Sequence, residues 1–415
     1  MSASAPPKQE RQLLLLLAAM QFTHLMDFMI VMPLGPEFMK VFGLSTARFG
    51  TMVSAYTLAS AVMGATGLFW LDRFDRKRAL LTLYGVFIVA TLACGFVSSA
   101  TGLMVARTLA GACAGLMGAV VMAIIGDLVP PERRGRAIGT VMASLGLSAV
   151  AGVPAGLALA SHLGWRGPFW VIGGLAACVW LCLVWVLPPV RQHLAASGVG
   201  RQSLAPLAAP GLALGWVLTF CVVFSSFLLI PYLGAYMVGN LGLRLEDLSW
   251  VYLAGGAATL VSARLVGQLA DRFGPARVLG LLLVGTMGPH LLFTHLGPSP
   301  LPVVMGAFMV FMALTSSRSI PTIALITTRV PPMLRGRYMA VNMAASDAAS
   351  GLSAWASGLM IATAPEGALV GFGHVGWIAV GVSTLSLGIL WTLGRSSPLP
   401  LSAAAPRAPS ADSPA

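Results

Sequence analysis

Twelve stretches of about twenty apolar residues, most of them separated by short polar connectors, dictate what this chain can fold into. They fall near residues 12–34, 50–71, 79–99, 102–126, 137–160, 168–187, 211–237, 248–269, 278–297, 301–328, 338–362 and 374–394. A helix of that length crosses the hydrocarbon core of a bilayer. Lipid offers the backbone no hydrogen-bonding partner, so each stretch must bond to itself as a helix. Only 9% of the 415 residues are charged and 57% are hydrophobic. A soluble domain carries about 25% charged residues, so this chain cannot cover a surface facing water. The expectation is an all-α membrane protein with twelve transmembrane helices. Lys8 and Arg11 ahead of LLLLLAAM resemble the start of a signal peptide. No small-residue cleavage site follows and the apolar run continues to Pro33, so the segment reads as span 1.

The net charge of +12 would suit nucleic acid, but the basic residues sit in short clusters between apolar runs. No basic helix face with interleaved aromatics results, and no nucleic-acid partner is expected. The clusters instead report orientation. With the N-terminus placed in the cytoplasm, cytoplasmic segments hold 18 Lys and Arg, outer loops hold four, and three lie inside spans. That is a strong positive-inside bias, so both termini are expected in the cytoplasm of a cell (inner) membrane protein. The longest connector, 188–210, is rich in Pro, Ala and Gly and reads as a linker between residues 12–187 and 211–394. The tail 395–415 has the composition of a disordered segment. Cys94, Cys113, Cys178, Cys182 and Cys221 lie in apolar runs without metal-like spacing and read as small packing residues.

One phrase is written twice. VPPERRGRA at 129–137 and VPPMLRGRY at 330–338 share six of nine positions at an offset of 201. LFWLDRFDRKRAL at 68–80 is echoed by GQLADRFGPARVL at 267–279, at an offset of 199. Two echoes at nearly one offset describe a duplication of six spans with the two copies in parallel orientation, the plan of one class of transporters. Arg and Lys just below a span anchor it to anionic headgroups. Asp72 and Asp271 fall in tight turns where helix N-termini gather and can favour one packing through dipole contacts.

GQLADRFGPAR resembles the Gly-x-Leu-Ala-Asp-Arg-x-Gly-Arg-Lys loop signature of the major facilitator superfamily, departing at Pro275 and Ala276. The first copy departs further, with Leu68 and Asp75 at its glycine positions. LMVARTLAGACAG (103–115) resembles that superfamily's Arg-x-x-x-Gly signature through Arg107 and Gly111. GVPAGLALASHLGWRGPFW (152–170) looks like the drug:proton antiporter group, and most like its sugar-efflux and chloramphenicol-resistance branch, with Val153 where antiporters carry Gly. The resemblance spans residues 12–394. It implies two six-helix bundles, transport of a small-molecule substrate, protons as a second partner, and a protein that works as a monomer without a cofactor. It also implies a conformational latch at the repeated loops: Asp72, Arg73, Arg76, Arg134, Arg136, Asp271, Arg272, Arg335 and Arg337.

Of the 13 acidic residues only Asp27 and Asp347 lie well inside spans. A carboxylate at that depth is costly and usually marks an ion pathway or pairs with a base. At 1.5 Å per residue, Asp27 lies roughly 22 Å into a core of about 30 Å, and Arg107 lies at nearly the same height. Arg318 and Asp347 both fall near the midplane and form a second candidate charge pair. His24 shares a helix face with Asp27, three residues earlier. Asp27, His24 and Arg107 are therefore the candidates for proton coupling. Arg264 lies near the cytoplasmic edge and can snorkel. Gly111, Gly115 and Gly118 in span 4, and Gly146, Gly152 and Gly156 in span 5, suit close helix contact. Pro154 can let span 5 bend. His162, His193, His290, His295 and His374 read as scattered through loops and span ends.

These features point to a secondary transporter that exports a drug-like compound, sugar or metabolite against proton entry. An uptake permease or facilitator of the same fold, and a membrane sensor without transport, remain the alternatives. An ATP-driven pump would need a G-x-x-x-x-G-K-[ST] loop, and none of Lys8, Lys40 and Lys77 has that setting. A membrane-embedded enzyme would gather histidines and acids at one interface, so no enzyme is expected.

Overall fold

The structure, a computed structural model, describes residues 7–191, 210–331 and 334–395. The expected linker and tail fall almost wholly outside these residues. Among the described residues, eleven helices are long and apolar enough to cross a bilayer: Lys8–Ile30, Thr46–Trp70, Arg76–Phe96, Ala100–Leu128, Pro131–Leu163, Gly167–Val186, Gly211–Gly239, Leu245–Phe273, Pro275–His295, Leu301–Arg329 and Phe372–Arg395. They are spans 1 to 10 and span 12. Span 11 is Arg335–Met360, which carries Arg335, Arg337, Asn342, Asp347 and several serines and is too polar to qualify by composition alone. Its polar residues turn inward, with Asn342, Ser350, Ser353 and Ser357 all buried. Large apolar side chains such as Phe96, Trp185 and Leu281 point outward, as lipid solvation permits.

Local chemistry sets the ends. Ser45, Asp75 and Ser99 accept backbone N–H groups at the starts of spans 2, 3 and 4, donors that a helix cannot satisfy internally. Span 5 widens into a π-turn at Ser148–Gly152, immediately before Val153–Pro154. The missing proline N–H makes a regular turn there unavailable. Span 10 breaks at Arg318, between Leu301–Ser317 and Ser319–Arg329, three residues ahead of Pro321. Span 7 is interrupted near Pro231 by a 3₁₀ turn, Ile230–Tyr232. One departure from an all-helical chain is a two-residue hairpin, Ala362–Thr363 with Leu369–Val370, between spans 11 and 12. The Asn240 amide ties it to span 7 by accepting from Leu369 N at 2.8 Å and donating to its carbonyl at 3.0 Å.

Helix pairing is written twice as well. Span 2 packs on 4, 3 on 4, 3 on 6, 1 on 5 and 1 on 6; span 8 packs on 10, 9 on 10, 9 on 12, 7 on 11 and 7 on 12. The two sets join through span 2 against span 11 and span 5 against span 8. These crossings are themselves equivalent. Gly256 lies against Ala149 and Val150, and Gly351 lies against Thr57 and Leu58. Thr57 is 199 residues before Gly256 and Val150 is 201 before Gly351, the two offsets of the repeated phrases.

The sets meet most closely at the membrane face opposite the termini. There the Tyr232 hydroxyl donates to the Ala354 carbonyl at 2.9 Å, Thr46 bonds the Ile361 carbonyl, and Gly234 abuts Pro33. Farther from that face, Gly118 lies against Met343 and Gly146 against Leu260.

Candidate functional site

Span 1 carries Asp27 in a buried, largely apolar stretch, and span 4 brings Arg107 to it. Arg107 Nη1 donates to Asp27 Oδ2 at 2.5 Å, and both side chains are almost fully buried. The second oxygen, Oδ1, meets no donor at hydrogen-bond geometry. Span 4 can come this close because Gly111 and Gly115 lie against the Tyr56 and Ser60 carbonyls of span 2, where any Cβ would collide with backbone. Tyr56 then lies under the Arg107 guanidinium, 4.3 Å from ring centroid to Cζ, a cation–π contact. Its hydroxyl is buried and unpartnered. His24 stacks on Tyr56 at 6.5 Å and meets Phe87 edge-on at 5.9 Å, with Nδ1 unpartnered. It makes no hydrogen bond to Asp27. Gly152 and Gly156 of span 5 pack on Met26 and Ile30 of span 1, which sets the depth of Asp27.

The second expected pair, Arg318 with Asp347, does not form. Arg318 turns toward spans 7, 9 and 12. Its guanidinium donates to Ser225 Oγ at 3.1 Å, Ser226 Oγ at 2.5 Å, Thr286 Oγ1 at 3.5 Å and Ser383 Oγ at 3.5 Å. Each hydroxyl donates its own proton to a carbonyl of its helix, which leaves its lone pairs free to solvate the cation. Asp347 turns the other way, across to span 2, and accepts from Ser60 Oγ at 2.6 Å. Depth along a helix can be read by counting residues; rotation about its axis cannot, and rotation separates these two.

Phe28 and Phe227 stack across the two sets at 6.3 Å and are 199 residues apart. They are the same residue of each copy meeting at the pseudo-twofold axis. In that register Asp27 corresponds to Ser226. The position that supplies a carboxylate to Arg107 in one copy supplies a hydroxyl to Arg318 in the other.

Sequence reasoning missed Tyr56, Ser60 and the four hydroxyls, which differ in no visible way from other small polar residues in the spans. It also misplaced His290. That residue is fully buried in span 9, with Nε2 at 3.3 Å from the Thr315 hydroxyl. It stands seven residues before Gly297, where the apolar run of span 9 ends, and that count alone would have located it inside the span.

At the terminal face the repeated loops are unequal. Arg76 bridges Asp127 at 3.1 Å, Arg191 bridges Asp75 at 2.7 Å and Arg133 bridges Glu10 at 3.0 Å. Arg134 donates to the Val129 and Gly126 carbonyls, and Arg335 to that of Val330. Arg73 and Arg136 are exposed, as are Asp271 and Arg272, the latter over the Phe273 ring. Arg337 is half-buried, and the Asp72 side chain lies outside what the structure describes. Burial raises the Asp75 carboxyl, but hydrogen bonds from Arg191 and from the Lys77 and Arg78 backbone outweigh it and hold the group below its ordinary value. All five cysteines are free; Cys178 and Cys182 are exposed and the other three buried.

Comparison with known proteins agrees with this architecture. A chloramphenicol efflux pump of Mycobacterium tuberculosis is 30% identical over 332 residues, 79% of this chain and 77% of that protein. A chloramphenicol resistance protein of Streptomyces lividans is 28% identical over 361 residues, covering 81% and 90%. Among solved structures, a bacterial homologue of the human lysosomal transporter Spinster, inward-facing and unoccupied, superposes with a TM-score of 0.77 at 16% identity over 94% of this chain and 98% of the other. A D-xylose–proton symporter gives 0.76 at 16% identity over 92% and 97%. The family model for the Major Facilitator Superfamily matches residues 17–224 and again 215–414, so the chain belongs to that superfamily and is a multi-pass membrane transporter.

Proposed function

We propose that this transporter is a proton-driven exporter of small organic solutes, with neutral drugs of the chloramphenicol kind as the first candidates. The observation that carries the proton part is the buried Asp27–Arg107 pair. A carboxylate in hydrocarbon with one base on one oxygen has two stable arrangements: ionised and paired, or protonated and released. Protonation of Asp27 frees the Arg107 guanidinium, which still meets the Tyr56 ring and the Cys94 thiol, and spans 1, 2 and 4 then repack. His24, stacked on Tyr56, lies on the proton's path. The solute part rests on the relatives, two of which are named for chloramphenicol.

Residues 12–187 and 211–394 are the two bundles that rock about the Phe28–Phe227 axis. The terminal face is cytoplasmic, in a cell membrane protein that works as a monomer. Gly152, Pro154 and Gly156 carry the bend in span 5. The terminal-face charges, Asp72, Arg73, Arg76, Arg134, Arg136, Asp271, Arg272, Arg335 and Arg337, form the latch that opens and closes with the rocking.

Everted membrane vesicles test this. An acid-inside gradient should drive labelled chloramphenicol into vesicles that contain the protein, and Asp27→Asn should reduce uptake to the level of empty vesicles. Full gradient-driven uptake by Asp27→Asn would sink the proton mechanism, and net movement in the opposite direction would make the protein an importer.

A further inference from the structure

A cleft of about 430 Å³ opens at the terminal face, where the turn between spans 2 and 3 meets the segment that leaves span 6. Arg73, Phe74, Asp75, Arg78 and Arg191 line it, and the transport mechanism assigns it no ligand. Three guanidiniums against one carboxylate leave a net charge of +2 on its walls. The carboxylate is already taken. Asp75 Oδ2 accepts from Arg191 Nε at 2.7 Å, and Oδ1 accepts from the Lys77 backbone N–H at 2.9 Å. Arg191 commits only Nε to that pair, so both of its Nη groups remain as donors. Among the described residues the Arg73 and Arg78 side chains make no ion pair.

The walls are fixed by bonds of their own. Arg76 N donates to the Val190 carbonyl at 3.3 Å, Lys77 Nζ to the Val184 carbonyl at 2.8 Å and Trp180 Nε1 to the Leu81 carbonyl at 2.8 Å. These hold the end of span 6 along the start of span 3, and Asp75 then aims Arg191 at the cleft. A site assembled in advance gives up little ordering entropy when a ligand arrives. The echo of this loop carries Arg272, Phe273 and Arg277 but Gly274 in place of Asp75, so it lacks the carboxylate that positions the third arginine. Apolar surface adjoins the charge. Phe74 is 52% and Phe69 64% exposed, and Trp70 meets the Phe74 ring edge-on at 5.9 Å.

The geometry points to a phosphate-binding pocket formed by Arg73, Arg78 and Arg191, whose ligand is a phosphate ester: the headgroup of an anionic phospholipid or a free phosphate. Guanidinium forks match pairs of phosphate oxygens, and three of them converge here with two charges uncompensated. The pocket lies at the ends of spans, at the level of the headgroups, where basic pockets take up anionic lipids. A bound phosphate ties the turn between spans 2 and 3 to the chain leaving span 6. The site requires neither export nor proton coupling. General attraction of basic residues to an anionic surface would treat every terminal-face arginine alike; a built pocket singles out these three.

Titration of labelled cardiolipin into the delipidated full-length protein in neutral detergent tests the site. Wild type should bind it saturably, and zwitterionic phosphatidylcholine should not compete. Arg78→Gln combined with Arg191→Gln should weaken binding about tenfold or more. Arg264→Gln combined with Arg277→Gln removes as much charge from the other copy and should stay within about twofold. Arg78 has no ion pair to lose, so Arg78→Gln alone, expected to weaken binding about threefold or more, decides the matter if the double variant does not fold. Inorganic phosphate as competitor separates the two sources: displacement of cardiolipin at millimolar phosphate assigns the pocket to free phosphate esters, and displacement by phosphatidylglycerol but not by phosphate assigns it to lipid headgroups. The proposal is overturned if wild type binds neither cardiolipin nor phosphate saturably, if the pocket variants keep full affinity, or if the two double variants lose affinity alike.

Discussion

Two fully buried arginines, one in each copy of the repeat, hold their charge in different ways. Arg107 faces a carboxylate, and Arg318 faces four hydroxyls. Asp27 and Ser226 are equivalent positions of the repeat, whereas the arginines stand 211 residues apart and are not. A carboxylate can take up a proton and release its partner. A hydroxyl already bonded to its own helix has no second state near neutral pH. On the proposed proton mechanism, the first copy therefore holds the switch and the second a fixed post.

The sharpest way to break this comparison is to remove each arginine. Arg107→Met strands the Asp27 charge and should cost about 3–5 kcal/mol of stability unless the acid protonates. Gradient-driven transport should vanish. Arg318→Met leaves four hydroxyls that already donate elsewhere and the Thr315 carbonyl that accepted from Nε, and should cost under about 2 kcal/mol. Thermal unfolding in detergent, run side by side, reads the contrast; equal losses would show that the hydroxyl cage is as demanding as the ion pair. Grafting the switch is the next test. Ser226→Asp should be tolerated beside Arg318 and poorly tolerated in the Arg318→Met background, with a coupling of about 0.5–3 kcal/mol in a double-mutant cycle. Additive effects would mean that the grafted acid never reaches the guanidinium.

The two equivalent crossings offer a smaller contrast. A Cβ at Gly256 would meet the Ala149 carbonyl at 2.7 Å and Val150 Cα at 2.8 Å, whereas one at Gly351 would meet Leu58 Cγ and Thr57 Oγ1 at 2.7 Å. Backbone cannot step aside and side chains can. Gly256→Ala should therefore lower the yield of monodisperse protein more than Gly351→Ala, as size-exclusion chromatography of fluorescent fusions would show.

The smallest effect is expected at the terminal face, at the Arg191–Asp75 pair. Arg191→Ala should cost at most about 1 kcal/mol, because Arg191 is 57% exposed and the pair is screened. Since folding lowers the Asp75 carboxyl, its contribution is present above the ordinary carboxylate range and lost as pH falls through the lowered value. Wild type and variant should therefore converge in acid unfolding curves at low pH, and a gap that widens there would reverse the assignment.

Much of this was legible along the chain because lipid is a simple solvent. A run of twenty apolar residues has one structural answer in a bilayer, so span number and duplication follow from one-dimensional signals. Asp27 and Arg107 were also legible, because charges are rare enough in hydrocarbon to stand out and because their heights matched. Arg318 and Asp347 matched in height too, and there the same reasoning failed. Height is a count of residues at a fixed rise, whereas direction depends on how each helix turns in its socket. Span 10 breaks at Arg318, which helps aim the arginine into spans 7, 9 and 12, while Asp347 points across to span 2.

The sequence by itself determined that this is a duplicated bundle of membrane helices with a few costly charges at known depths, because hydropathy and residue rise act locally. Only the tertiary structure decided which charges meet. Helix rotation is set by the close approach of small residues such as Gly111 and Gly115 to neighbouring backbone, and that is a property of the packed pair.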